Sequence, residues 1–237
     1  FFELKFILDI MCTRFSFDVS REKMKRQFNL NSKQELQKSY NIGSTHNAYI
    51  LTNKSLELQI FRWGLIPHWA HDPEVGRNLT NAMAEGIETK LSFRLPVRQR
   101  RCIVFADSFY IWQGKRQQAQ PYRVHLKDNS VLAFAGVWDI WLDEDNNIYK
   151  TFAIITTEAN QELKDLGQSR MPAILHNGSD MARWMSEISL RTVLKLLKPA
   201  EEGRLESYPI SKEIDDFENN FIDLHKPIDL EAEKEEI

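Results

Sequence analysis

The sequence predicts an α+β fold, a single mixed β domain with helices at its periphery and no alternating strand–helix units. Three observations carry that expectation. The middle of the chain, from Arg101 to Thr157, holds four short apolar runs bounded by turn residues. Helical periodicity is confined to the flanks of that region. Nothing in the 237 residues, neither a repeat nor a low-complexity linker, marks a domain boundary.

Taken in order, Ser20–Leu30 is expected as a helix, with Ser20 as its cap and Met24 and Phe28 on one face. Strands are expected at Ala48–Leu51 and Gln59–Trp63, then at Arg101–Asp107, Tyr122–Leu126, Val131–Trp138 and Thr151–Thr157. The polar stretch Asp143–Asn147 suits a hairpin loop between the last two. A helix should follow from about Asp180, with Met181, Trp184, Met185 and Ile188 at helical spacing. Another should start near Ser189, carry Val193, Leu194 and Leu197, and stop at Pro199. The folded domain is expected over residues 11–228, with 229–237 as an acidic disordered tail.

Composition narrows the function classes. At 42% hydrophobic and 27% charged, the chain is long enough to bury a core without staples. Two cysteines, Cys12 and Cys102, are too few for a disulfide framework and point to a reducing, cytoplasmic setting. His68 and His71 form the one close histidine pair, with no accompanying ligand signature, so neither metal nor cofactor is expected. A formal net charge of −3 and a pI of about 6.1 argue against polyanion binding by bulk charge. The run Arg94, Arg98, Arg100, Arg101 is locally basic, and spacing leaves two readings open, a phosphate-facing patch or a solvated surface. Residues 1–10, FFELKFILDI, are too short for a membrane span and lack the layout of a secretory signal. Met11–Cys12 is the expected start of the mature chain, with the preceding segment extraneous or removed.

Eight strings then stand out together. They are MCTR (Met11–Arg14), YNIGST (Tyr40–Thr45), RWGLIPHW (Arg62–Trp69), NAMAE (Asn81–Glu85), RRCIVFADSFYIW (Arg100–Trp112), FAGVWD (Phe134–Asp139), ITTEAN (Ile155–Asn160) and SRMPAIL (Ser169–Leu175). In order and spacing they resemble the SRAP family, the SOS response-associated peptidases or abasic-site processing proteins, over roughly Met11 to Ser211. The resemblance implies a barrel-like mixed or antiparallel β core. It also implies a monomer that binds single-stranded DNA carrying abasic sites during the DNA-damage (SOS) response, in a family to which peptidase and lyase-type activities are attributed.

The implied chemistry suits the residues. Removal of Met11 would leave Cys12 with a free α-amine, and a ring-opened abasic sugar presents an aldehyde. The amine condenses to an imine and the thiol closes a thiazolidine, a stable protein–DNA crosslink. An unperturbed α-amine has a pKa of about 7.7 to 8.0, so a neutral fraction exists near neutrality, and a thiol near about 8.5 needs only modest activation. The resemblance places Asn81 at the abasic sugar, where an amide both donates and accepts hydrogen bonds. It places Arg14 and Arg170 at the DNA backbone and Trp69 as a wedge against bases. Cys102, Trp63, Trp112 and Trp138 are expected in the core.

Three positions depart from the family pattern. Ile111 stands where FYEW-like strings carry a glutamate, Gln168 where a histidine precedes the last arginine, and Met83 where an arginine follows NA. Ile111 cannot move a proton, and Gln168 can orient a sugar hydroxyl but not shuttle a proton near pH 7. Glu85 is a candidate substitute carboxylate. The departures leave open a non-reactive DNA-binding paralogue, and a thiol peptidase that uses Cys12 to process the upstream segment.

Overall fold

The structure is a computed structural model that describes residues 13–30, 35–114 and 118–231. Expectations for Cys12, for residues 1–10 and for the tail beyond 231 therefore lie outside the described residues. Within them the chain runs β1 (Arg14–Phe17), α1 (Arg21–Phe28), β2 (Ser39–Gly43), β3 (Asn47–Thr52), β4 (Leu58–Trp63) and β5 (Asn81–Met83). Then follow α2 (Pro96–Gln99), β6 (Arg101–Ala106), β7 (Ser108–Gln113), β8 (Gln120–Leu126), β9 (Leu132–Leu142) and β10 (Ile148–Glu158). The last elements are α3 (Gln161–Asp165), β11 (Arg170–Pro172), α4 (Gly178–Met185), α5 (Leu190–Leu194) and β12 (Leu205–Pro209).

Two sheets organise these strands. In one, β10, β4, β3, β6 and β9 pair in sequence, and β9 pairs back onto β10, so the five close into a barrel. Beyond the barrel the far end of β10 continues between β5, parallel on one side, and β11, antiparallel on the other. The second sheet has the order β12-β8-β7-β1-β2. The α+β class with a barrel-like core is therefore what the chain adopts.

The local reasons are those the residues suggest. Ser20 caps α1 by accepting a hydrogen bond from the Lys23 amide, and Asn29 ends it in the left-handed region. The β9–β10 turn is held by Asp143, whose carboxylate accepts from the amides of Asp145 and Asn147, while Asn146 takes the left-handed conformation. Two helical expectations ran too long. Helix α4 ends at Met185, leaving Ile188 exposed beyond it, and α5 ends at Leu194, well before Pro199. Past α5 the chain still packs Leu196 and Leu197 against the core, but as a turn and not as helix.

The sheets meet through aromatic side chains. Phe15 of β1 lies edge-on to Trp63 of β4 at 5.0 Å and to Phe134 of β9 at 6.2 Å, and Phe109 of β7 meets Phe134 at 6.0 Å. Each buried phenylalanine stabilises the fold by roughly 2 to 3 kcal/mol, with edge-to-face geometry adding about 1 kcal/mol. Cys102 is fully buried and desolvation drives its thiol well above the ordinary range, so it is core, as expected. Trp63 and Trp138 are also buried, whereas Trp112 is only half-buried and takes another role.

The second sheet has two unlike faces. Phe15, Phe17, Phe109 and Ile111 point into the common core. Arg14, Ser16, Ser108 and Tyr110 alternate with them and so face the other way. That outer face carries a buried polar network. Arg123 binds Asp107 at 2.7 Å, the Ser108 hydroxyl at 2.8 Å and the Tyr208 hydroxyl at 2.5 Å. Tyr110 donates to the Tyr40 carbonyl at 2.6 Å and meets His225 Nε2 at 3.0 Å. The C-terminal segment covers this face, burying Ile210, Ile214 and Leu224 against Tyr110.

Candidate nucleic-acid site

Strand β10 assembles the first group of expected residues. Asn81 pairs with Ile154, Met83 and Pro172 both pair with Thr156, and Arg170 pairs with Glu158. Positions 154, 156 and 158 share one face of a strand, so Asn81, Met83 and Arg170 do as well. Asn81 is buried within strand β5, and its amide donates to the Thr80 hydroxyl at 3.3 Å. Met83, where the resemblance implies an arginine, is exposed.

Arg170 does not present a bare guanidinium. Its Nη1 and Nη2 bind both oxygens of Glu85 at 3.0 and 2.8 Å, and Nη2 also donates to the Thr156 carbonyl at 2.6 Å. The bidentate arginine holds the Glu85 carboxyl below the usual carboxylate range, partly opposed by burial. Glu85 is thus an ionised partner for Arg170 and makes a poor proton donor in place of the missing glutamate. The Glu85 side chain is half-exposed and that of Arg170 is buried, so the carboxylate forms the outer layer of the pair.

The second group lies at the end of β7. Ile111 is 2% exposed and belongs to the apolar core. A lone ionised carboxylate there would carry a heavy desolvation cost, which isoleucine avoids. Gln168 is buried, and its amide donates to the Trp112 carbonyl at 2.8 Å and to the Leu166 carbonyl at 3.4 Å. It ties the approach to β11 onto β7, joining the barrel side of the molecule to the second sheet.

Arg14 departs furthest from expectation. Nη1 donates to Asn41 Oδ1 at 3.1 Å and to the Ile214 carbonyl, and Nη2 to the Asp215 carbonyl at 2.7 Å. Its guanidinium carbon lies 3.6 Å from the Phe217 ring centroid and 5.8 Å from that of Trp112, whose indole N–H donates to Asp215 at 2.8 Å. Burial lowers the Arg14 pKa against the pull of Asp215 and Asp216. The guanidinium expected at a phosphate is enclosed by the chain's own C-terminal segment, because backbone carbonyls and aromatic faces satisfy it there.

The remaining arginines divide. Arg101 is buried and donates to the carbonyls of Trp184, Val97, Arg98 and Ser186, and Arg100 pairs with buried Asp139. The phosphate-facing reading of that run therefore fails for these two, whose donors go to the ends of α2 and α4 and to a carboxylate within β9, while Arg94 and Arg98 stay exposed. Trp69 is 44% exposed on the loop after β4, free of the core as a stacking side chain must be. A cavity of about 720 Å³ opens between α1, the β3–β4 turn and α4, and its lining includes none of the expected site residues among those described. Sequence reasoning did not single out Asn41, Thr156, Asp215 or Phe217, which hold the two arginines. Their signal is tertiary: Asn41 and Asp215 are 27 and 201 positions from Arg14.

Comparison with known proteins bears on this geometry. The chain matches the family described as SOS response associated peptidase (SRAP) over residues 11–217. It is 34% identical over 222 residues to abasic site processing protein YoaM of Bacillus subtilis, covering 90% of this chain and 97% of that one. Against abasic site processing protein HMCES of Mus musculus it is 30% identical over 206 residues, covering 73% of this chain and 58% of that one. A crystal structure of a protein from Bacteroides thetaiotaomicron superposes with a TM-score of 0.80 at 29% identity, covering 92% of this chain and all of that one.

Proposed function

This chain belongs to the SOS response associated peptidase family, and from that premise we propose that it processes abasic sites in DNA. On this reading it acts as a monomer on single-stranded DNA in a reducing, cytoplasmic setting. Cys12, with Met11 and everything before it removed, is the nucleophile. Its amine attacks the sugar aldehyde and loses water to give an imine. The thiolate sulfur then adds to the imine carbon, the nitrogen takes up a proton, and a thiazolidine joins protein to DNA. Asn81 orients the opened sugar, Gln168 supports it by hydrogen bonding, Trp69 stacks on a neighbouring base, and Arg170 meets the backbone.

The observation that supports this most is the single face of β10 on which Asn81 and Arg170 stand together. Lacking a glutamate at 111 and a histidine at 168, the reaction should be about 10² to 10⁴-fold slower than with an acid–base group in place. Met11-initiated protein incubated with single-stranded DNA bearing one abasic site should give a heat-stable shifted band, strengthened by Ile111→Glu with Gln168→His. No band from either protein sinks the covalent reading. Salt-sensitive binding that ignores Cys12→Ala would instead establish a second reading, a non-reactive DNA-binding module, which buried Ile111 and carbonyl-bound Gln168 favour. A peptidase role predicts an intact mass that begins at Cys12 in the native chain but not in Cys12→Ala.

A further inference from the structure

The C-terminal segment holds the start of β1 through several independent contacts. Arg14 donates to the carbonyls of Ile214 and Asp215. Asn41, on the neighbouring strand β2, donates from one amide to the carbonyls of Ile214 at 3.1 Å, Asp216 at 2.9 Å and Asn219 at 3.0 Å. Asn220 accepts from the Tyr40 amide at 2.6 Å. Phe217 closes the arrangement from outside by stacking on the Arg14 guanidinium. Gly43 pairs directly with Arg14, and a Cβ there would come within 2.2 Å of the Phe217 ring, so only glycine leaves room for it.

Chain geometry gives this lock a consequence. Consecutive Cα atoms are about 3.8 Å apart, so the Cα of Cys12 stays within about 7.6 Å of that of Arg14. We infer that Arg14 is a positioning residue, clamped by the C-terminal segment so that the reactive N-terminus two residues upstream stays in register with the sugar site. This rests on the functional reading above, and it moves Arg14 from the DNA backbone to the protein's own scaffold. A nucleophile displaced by about 1 Å loses on the order of 10²-fold in rate even when the ligand remains bound.

Phe217→Ala removes the ring and Gly43→Ala displaces it, both leaving the Arg14 residue itself unchanged, and Phe217→Tyr keeps a ring in place. Each alanine variant should lower the saturating crosslinking rate about tenfold or more, at unchanged affinity for intact single-stranded DNA. Reaction of Cys12 with glyoxylate, which needs no positioning, should stay at the native rate, and Phe217→Tyr should restore crosslinking. Amide protons of β1 should exchange faster with solvent in both alanine variants, a readout independent of the reaction. Native crosslinking rates or native β1 exchange in the alanine variants would overturn the inference. So would tighter DNA binding with a steeper salt dependence, because the segment would then be masking a phosphate ligand. Absence of crosslinking in the native protein is the separate outcome that counts against the functional reading, and the exchange measurement still decides the clamp.

Discussion

Arg14 and Arg170 are equally buried, at 7% exposure each, yet they are neutralised in opposite ways. Arg14 is held by the backbone carbonyls of Ile214 and Asp215 and by the ring of Phe217, about 200 positions away, with the charges of Asp215 and Asp216 acting on it as well. Arg170 meets a half-exposed carboxylate, Glu85, only 85 positions away. A phosphate can exchange for a carboxylate at little electrostatic cost, whereas it cannot replace several backbone carbonyls without opening the fold. On the proposed function the first arginine would serve the scaffold and the second an anionic ligand, although both occupy family motifs of the same kind.

The sharpest way to break this contrast is Arg14→Ala. It takes the Arg14 donor from the Asp215 carbonyl and the Asn41 amide oxygen and leaves the Ile214 carbonyl to the Asn41 amide alone, and urea unfolding should show a loss of about 3 kcal/mol. A loss below about 1 kcal/mol would mean the clamp is cosmetic. Next in size is the pH response of the same C-terminal segment. Burial depresses the pKa of His225 from 6.5 to about 4, and its Nε2 faces the Tyr110 hydroxyl. Because the unfolded chain takes up that proton first, stability is complete above 6.5 and falls as the pH drops towards 4. The contribution is at most about 3 kcal/mol. His225→Gln should flatten the unfolding free energy across that window; an unchanged slope would place the titration elsewhere. The smallest stability effect belongs to Glu85→Gln, no more than about 1 kcal/mol for a half-exposed pair. Its signature lies in binding: with Arg170 released, the logarithm of single-stranded DNA affinity should depend on salt more steeply, by about 0.7. An identical slope would show that Arg170 never meets phosphate.

The same contrast explains which parts of the fold were legible. Strands β3, β4, β6, β9 and β10, which close the barrel, announce themselves as apolar runs because the barrel and its covering layers bury nearly every residue of β6 and most of β9 and β10. Of the second sheet, β8 alone was anticipated. Strand β7 lies in a string read for its motif, with the bend at Asp107 hiding the passage from one sheet to the other. Strands β1 and β2 carry Arg14, Ser16 and Asn41, all buried, which look like surface residues until their partners arrive. The motif order singled out Asn81, Gln168 and Arg170 as candidates, while the occupation of Arg170 by Glu85 needed the register of β5 and β11 against β10.

What the linear chain determined was the family, the barrel strands with their apolar periodicity, the Ser20 cap and the Asp143 turn, all of which depend on neighbours a few residues apart. What only the tertiary structure decided was the fate of each charge. An arginine side chain offers five donors whatever its surroundings, and whether they meet phosphate, carboxylate or the protein's own carbonyls depends on which distant segment is folded against them.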